Sequence, residues 1–253
     1  MNIFSLMTDL LYSAVLGFVA GVLPVYLGLL PLALFRKLSA SGRRFLVSFS
    51  VGILLFLFAD VTGEAVGLSG HTWYGALLFA FGLVIGVGVP FAISSRRNHV
   101  KDSSSASATE IKPLTTYIIS IAIGLHNLGE GLAIGAAYAG GQLALTTVLV
   151  VGFALHNGTE GMAIAGPVSD APFRAREPLV LGFLAGFPTV LGSIFGTLFY
   201  SDLAGVFFFS MAAGALLFVV IELMRRAQSP KSTLIGIVVG ILLMYFTDLL
   251  LTI

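Results

Sequence analysis

Eight apolar stretches, each about 20 residues long or longer, occupy almost the whole chain, and every lysine and arginine falls in alternate gaps between them. A hydrocarbon core about 30 Å thick needs roughly 20 apolar residues per helical span. Within it each segment must satisfy its own backbone polar groups, which restricts such stretches to helices. They lie at about 10–35, 45–67, 73–94, 114–138, 143–168, 179–200, 203–223 and 232–251. Only 10% of the 253 residues are charged, against about 25% in soluble domains, and the mean hydropathy is +1.02. A soluble α/β domain is thereby excluded. The expected fold is an all-α polytopic membrane protein, a single transmembrane domain of eight helices over residues 1–253. The first stretch is too long for a signal-peptide core and reads as a span. Pro24 and Pro31 predict a kink in it. Residues 95–112, rich in serine and charge, read as a flexible cytoplasmic loop.

The basic residues orient the bundle. The first gap holds Arg36, Lys37, Arg43 and Arg44; the third holds Arg96, Arg97, Lys101 and Lys112. Arg174 and Arg176 occupy the fifth gap, and Arg225, Arg226 and Lys231 the seventh. These are all thirteen. Positive charge collects on the cytoplasmic side, so the expectation is a multi-pass protein of the cell membrane with both termini outside. A net charge of +1 makes no case for nucleic acid. Asp9, Asp60, Glu64, Asp202 and Asp248 then fall near the outer face, making that side attractive to cations. Asp9 and Asp202, at span ends, read as tolerated acids. Asp60 and Glu64 are four apart on one helix face and are either a cation entrance or a solvated helix end. His71 and His99 read as solvated loop residues.

Inside the fourth and fifth stretches one phrase occurs twice: His126-Asn127-Leu128-Gly129-Glu130-Gly131 and His156-Asn157-Gly158-Thr159-Glu160-Gly161. Imidazoles and carboxylates are costly in hydrocarbon and mark function there. Residues four apart on a helix are rotated by about 40° and separated by about 6 Å, so each His shares a face with its Glu. Each Asn lies about 100° round from its His, with the Glu between them. The short turn Ala139–Gln142 makes the two spans antiparallel neighbours, so the phrases meet at similar depth. With no cysteine in the chain, a metal site must use N and O ligands. Two imidazoles and two carboxylates suit Zn²⁺, Fe²⁺, Mn²⁺ or Co²⁺ better than Ca²⁺ or Mg²⁺. Gly129, Gly131, Gly158 and Gly161 thin both helices beside these residues, for close packing or an exposed carbonyl. The bland alternatives are a structural His–Glu bridge or a proton relay.

With the paired phrase, eight spans and outside termini, the chain resembles the ZIP (Zrt/Irt-like) family of divalent-metal transporters, and most closely its prokaryotic members of the GufA/ZupT type. The resemblance covers the whole chain and implies transport of Zn²⁺ or Fe²⁺ into the cytoplasm, with Mn²⁺, Co²⁺ and Cd²⁺ as further candidates and no catalytic cofactor. It implies an elevator in which spans one, four, five and six carry metal past a scaffold of two, three, seven and eight. It also implies a homodimer formed through the scaffold. Carried over by residue, His126, Glu130, His156 and Glu160 form the primary metal site, and Asn127 and Asn157 face a second site sharing the glutamates. Members with a two-metal centre often place Glu before a proline in the sixth span. Here Phe187-Pro188 stands in that place, so one well-formed metal is expected. Glu222, late in the seventh span, is either a metal exit or a partner of Arg225 or Arg226.

Two other functions compete. An intramembrane metal-dependent hydrolase usually shows H-E-x-x-H; here the order is H-x-x-x-E twice, with no spare acid or base. A proton-coupled carrier or cation channel could use the same His–Glu pairs as titrating groups.

Overall fold

The computed structural model describes residues 3–35, 37–100, 113–169, 176–199, 201–225 and 230–252. Arg36, residues 101–112, Arg174 and Arg226 fall outside them, as do the side chains of Arg96, Arg97, His99 and Lys231. Regular structure among the described residues is entirely helical: α1 (Ile3–Gly17), a π-helical turn (Phe18–Val22), α2 (Leu23–Leu29), α3 (Leu32–Phe35), α4 (Ala40–Leu68), α5 (Trp73–Val100), α6 (Pro113–Ala139), α7 (Leu143–Ser169), α8 (Glu177–Leu198), α9 (Asp202–Met224) and α10 (Pro230–Thr252). Seven helical segments among the described residues are long and apolar enough to cross a membrane, and Thr233–Leu249 of α10 is a shorter eighth.

Local chemistry explains where the helices depart from the expected bounds. α4 begins ahead of Phe45 because Ser39 caps it, its Oγ accepting from Gly42 N–H at 3.3 Å. The basic residues Arg43 and Arg44 therefore belong to the helix rather than to a turn. α5 continues to Val100, through the first residues of the stretch read as a loop from 95. The two prolines of the first span act differently. At Pro24 the helix is not broken but passes through the π turn. At Pro31 it stops, and a new short turn starts with Leu34 and Phe35 N–H bonded to the Pro31 carbonyl. Between α6 and α7 the reversal is made by Gly141 at φ +70°, a conformation that favours glycine.

Glycines sort the bundle into two groups. With no hydrophobic drive between helices in lipid, small residues let backbones approach and pack. Gly192 and Gly196 of α8 lie against the Leu128 and Leu132 carbonyls of α6, and Gly131 and Gly135 of α6 lie against the Thr189 and Ser193 carbonyls of α8. Gly17 and Gly21 seat the first span on α8, while Gly28 and Gly161 seat α2 on α7. Ser193 Oγ donates to the Ser13 carbonyl at 2.8 Å and locks α8 to α1. In the other group Gly52 and Gly240 join α4 to α10, and Gly82, Gly86 and Gly214 join α5 to α9. Across the boundary only two glycines among the described residues make close approaches: Gly129 against the Phe209 ring, and Gly166 against Ser50 and the Leu46 carbonyl.

Adding a methyl at these contacts overpacks the bundle. Gly192→Ala is expected to cost about 1–3 kcal/mol, lowering Tm by roughly 2–12 °C for a chain of this size. Gly63→Ala, with open space around its Cβ position, should leave Tm unchanged or slightly raised. A thermal-melt comparison of the two variants checks this.

Candidate metal centre

The turn at Ala139–Gln142 folds α7 back on α6 and brings both phrases to one place. All six residues are buried: His126 is 3% exposed, Glu130 and His156 2%, and Asn127, Asn157 and Glu160 0%. His126 Nε2 lies 3.3 Å from Glu130 Oε1 and 3.6 Å from Glu160 Oε1. His156 Nε2 lies 3.7 Å from the same Glu160 oxygen. The two imidazole rings are 5.4 Å apart, centre to centre. Two donors each about 2.1 Å from one tetrahedral ion are separated by about 3.4 Å. Three donor pairs, His126 with Glu130 and each imidazole with Glu160, therefore stand near the spacing that a single small divalent cation requires.

Polar atoms this deep need partners. Eleven buried side-chain N and O atoms among the described residues have no hydrogen-bond partner, and nine of them belong to the paired phrase: both ring nitrogens of His126 and His156, both oxygens of Glu160, Glu130 Oε1, and Oδ1 of Asn127 and Asn157. This concentration singles out the paired phrase as the place where buried polar atoms gather without hydrogen-bond partners of their own.

The asparagines are held from outside the pair. Asn127 Nδ2 donates to the Ala185 carbonyl of α8 at 3.0 Å. Asn157 Nδ2 donates to the Ala20 carbonyl in the π turn at 3.1 Å and to Glu130 Oε2 at 2.7 Å. Their Oδ1 atoms remain unpartnered beside the glutamates. Of the glycines in the phrases, Gly131 and Gly161 allow helix contact, while Gly129 admits the Phe209 ring, 6.3 Å from the His126 ring. Thr159, between His156 and Glu160, donates to the His156 carbonyl at 2.6 Å, and its hydroxyl oxygen lies 2.8 Å from the sulfur of Met244 on α10.

Asp60 is closer to the centre than an entrance residue need be. One ligand atom from each of Asp60, His126 and His156 lies within 4.8 Å of the other two. The paired phrase could not reveal this, since Asp60 belongs to a different helix and carries no repeat. The available signal was an acid eight residues inside the end of α4, flanked by apolar residues. Glu64, one turn on, is exposed. Phe187 is half-buried and stacks on the exposed Phe183 with ring centres 4.6 Å apart. Glu222 faces Arg225 at 3.9 Å, the pairing that its spacing allowed. Asp9 accepts a hydrogen bond from Tyr138 at 3.2 Å. His71 is exposed in the α4–α5 turn.

The two ends of the bundle differ. Toward the end where the basic gaps lie, the centre is backed by fully buried apolar side chains, among them Leu54, Leu57, Ile119, Ile123, Ile164 and Leu216. Toward the opposite end, Asp60 and Asp248 are partly exposed.

Residues 94–248, more than half of the chain and including both phrases, match the family model described as ZIP Zinc transporter. No significant match to a curated protein was found.

Proposed function

Because the chain belongs to the ZIP zinc transporter family, with divalent metal as its cargo, we propose that it moves Zn²⁺ or Fe²⁺ into the cytoplasm through the His126/Glu130/His156/Glu160 centre. The observation that carries this is the set of buried, unpartnered N and O donors, spaced for one ion and drawn from two adjacent helices. Mn²⁺, Co²⁺ and Cd²⁺ fit the same donor types. Asn127 and Asn157 offer Oδ1 atoms to a second position sharing the glutamates. With Phe187 and no carboxylate at that place in α8, this position is the weaker one. Glu64 and then Asp60 lead from the exposed end to the imidazoles, with Asp60 completing the donor set on arrival. Glu222, near the opposite end of α9, serves release.

The motion we propose is an elevator. α1, α2, α6, α7 and α8 move as the carrier past α4, α5, α9 and α10. Support comes from the glycine contacts, which fuse helices backbone to backbone within each group and are sparse between them. The distribution of basic residues supports a cell-membrane protein with cytoplasmic odd-numbered loops and both termini outside. Homodimerisation through the static group is proposed on family grounds.

Uptake by reconstituted vesicles tests the centre. Wild type should accumulate Zn²⁺ or Fe²⁺, and His126→Ala and Glu160→Ala should fall to the background of empty vesicles. Normal uptake by both variants would overturn the reading.

A further inference from the structure

The two phrases are nearly identical in sequence, but their surroundings treat them differently. In an α-helix the Ala20 carbonyl would accept from the N–H of residue 24, and residue 24 is proline, which has none. The first span meets this with the π turn Phe18–Val22, closed by Leu23 N–H bonding to the Phe18 carbonyl. π turns of this kind recur at functional sites. Ala20 is fully buried, so water cannot replace the missing donor. The partner comes from α7: Asn157 Nδ2 donates one hydrogen to Ala20 O at 3.1 Å and the other to Glu130 Oε2 at 2.7 Å. A primary amide has two such hydrogens, and both are used. The amide can then face only one way, with Nδ2 toward the carbonyl and the carboxylate.

No such constraint acts on the other copy. Asn127 Nδ2 donates to Ala185 O, whose in-helix partner four residues on is Thr189, which has an N–H to give. Both oxygens of Glu160 lack a hydrogen-bond partner. Glu130 is thus held at one oxygen from the first span's side, with the other left beside His126, while Glu160 lies against both imidazoles and Asn127.

We propose that Pro24 is a positioning residue for the metal centre. By withholding an N–H from Ala20 it reserves that carbonyl for Asn157, and Asn157 presents Glu130 to the ion in a fixed orientation. The two glutamates are therefore held differently: Glu130 through Asn157 to the first span, Glu160 among the residues of the two phrases. This rests on the metal-centre reading above.

The test is a double-mutant cycle on Zn²⁺ affinity, measured by titration of the purified full chain with Pro24→Ala, Asn157→Ala and the double variant, with thermal melts of each metal-free protein. Groups that orient a metal ligand are worth about 10–100-fold in affinity. Each single variant is expected to raise Kd by about 10-fold, and the double variant to match the worse single, because both break one chain of contacts. Pro31→Ala, at the broken end of the first span, should leave Kd unchanged. A Pro24→Ala protein that binds Zn²⁺ within twofold of wild type, or a double variant whose loss is the product of the two, overturns the proposal. His126→Ala separates the two levels. If it abolishes binding while Pro24→Ala does not, only the positioning role fails; if it binds like wild type, the metal-centre reading fails with it.

Discussion

Glu160→Gln is expected to raise the Kd for Zn²⁺ by about 100-fold or more and to reduce vesicle uptake to background, while making the metal-free protein more resistant to heat. The single oxygen Oε1 of Glu160 lies 3.6 Å from His126 and 3.7 Å from His156, so it is the donor common to both halves of the centre. Losing an outer-shell partner already costs up to about 100-fold in metal affinity, and losing a shared ligand costs at least that. The gain in metal-free stability has a separate cause. Glu160 is fully buried, and replacing a buried acid with a neutral amide of the same shape removes the cost of desolvating its charge. Binding stabilises a folded protein by about 2.7 kcal/mol at a ligand concentration of 100 Kd. Wild type should therefore show a clear rise in Tm on adding Zn²⁺, and Glu160→Gln should melt higher without metal yet show no rise with it. A variant that melts lower without metal and still responds to Zn²⁺ would contradict both arguments.

Tying α7 to α10 should stop transport without emptying the centre. Thr159 and Met244 meet across the boundary between the two glycine-fused groups, hydroxyl to sulfur at 2.8 Å. The chain has no cysteine of its own, so Thr159→Cys combined with Met244→Cys provides the only two thiols. A short, reductively cleavable bifunctional thiol reagent is expected to bring uptake to background, with full recovery on cleavage. Zn²⁺ binding by the cross-linked protein should stay within a few-fold of the same protein before cross-linking. Undiminished uptake by fully cross-linked protein would show that the two groups do not slide past one another, and the elevator would fall while the metal centre stood.

Much of this architecture is legible in the sequence. The apolar stretches are long and separated by short polar gaps, and burial in lipid leaves such segments one backbone solution. The paired phrase was readable because helical geometry puts residues four apart on one face whatever surrounds them. What could not be read came from contacts between helices distant in sequence. Asp60 reaches the imidazoles from α4, and nothing in the spacing around it tells how deep α4 sits beside α6. Pro24 predicted a kink, but not that a π turn would absorb it or that Asn157 would answer Ala20. The Phe187 position draws attention to α8 through its side chain, yet that helix supplies the Ala185 carbonyl to Asn127, a backbone group that no side-chain pattern encodes. The early start of α4 was written in Ser39, whose capping role was masked by the basic residues that follow it.

The apolar backing behind the centre has an electrical meaning. A transmembrane voltage falls mainly across the layer with the lowest dielectric constant, and here that is the half of the bundle packed with Leu54, Leu57, Ile119, Ile123, Ile164 and Leu216. Moving one elementary charge through the full potential involves about 2.3 kcal/mol per 100 mV, and a divalent ion twice that. In the proposed orientation, an inside-negative voltage does little to a cation travelling by way of Glu64 and Asp60. If the centre moves as proposed, that voltage acts on its descent only in proportion to the net charge of ion plus ligands, which ionised Glu130 and Glu160 reduce from that of the bare ion.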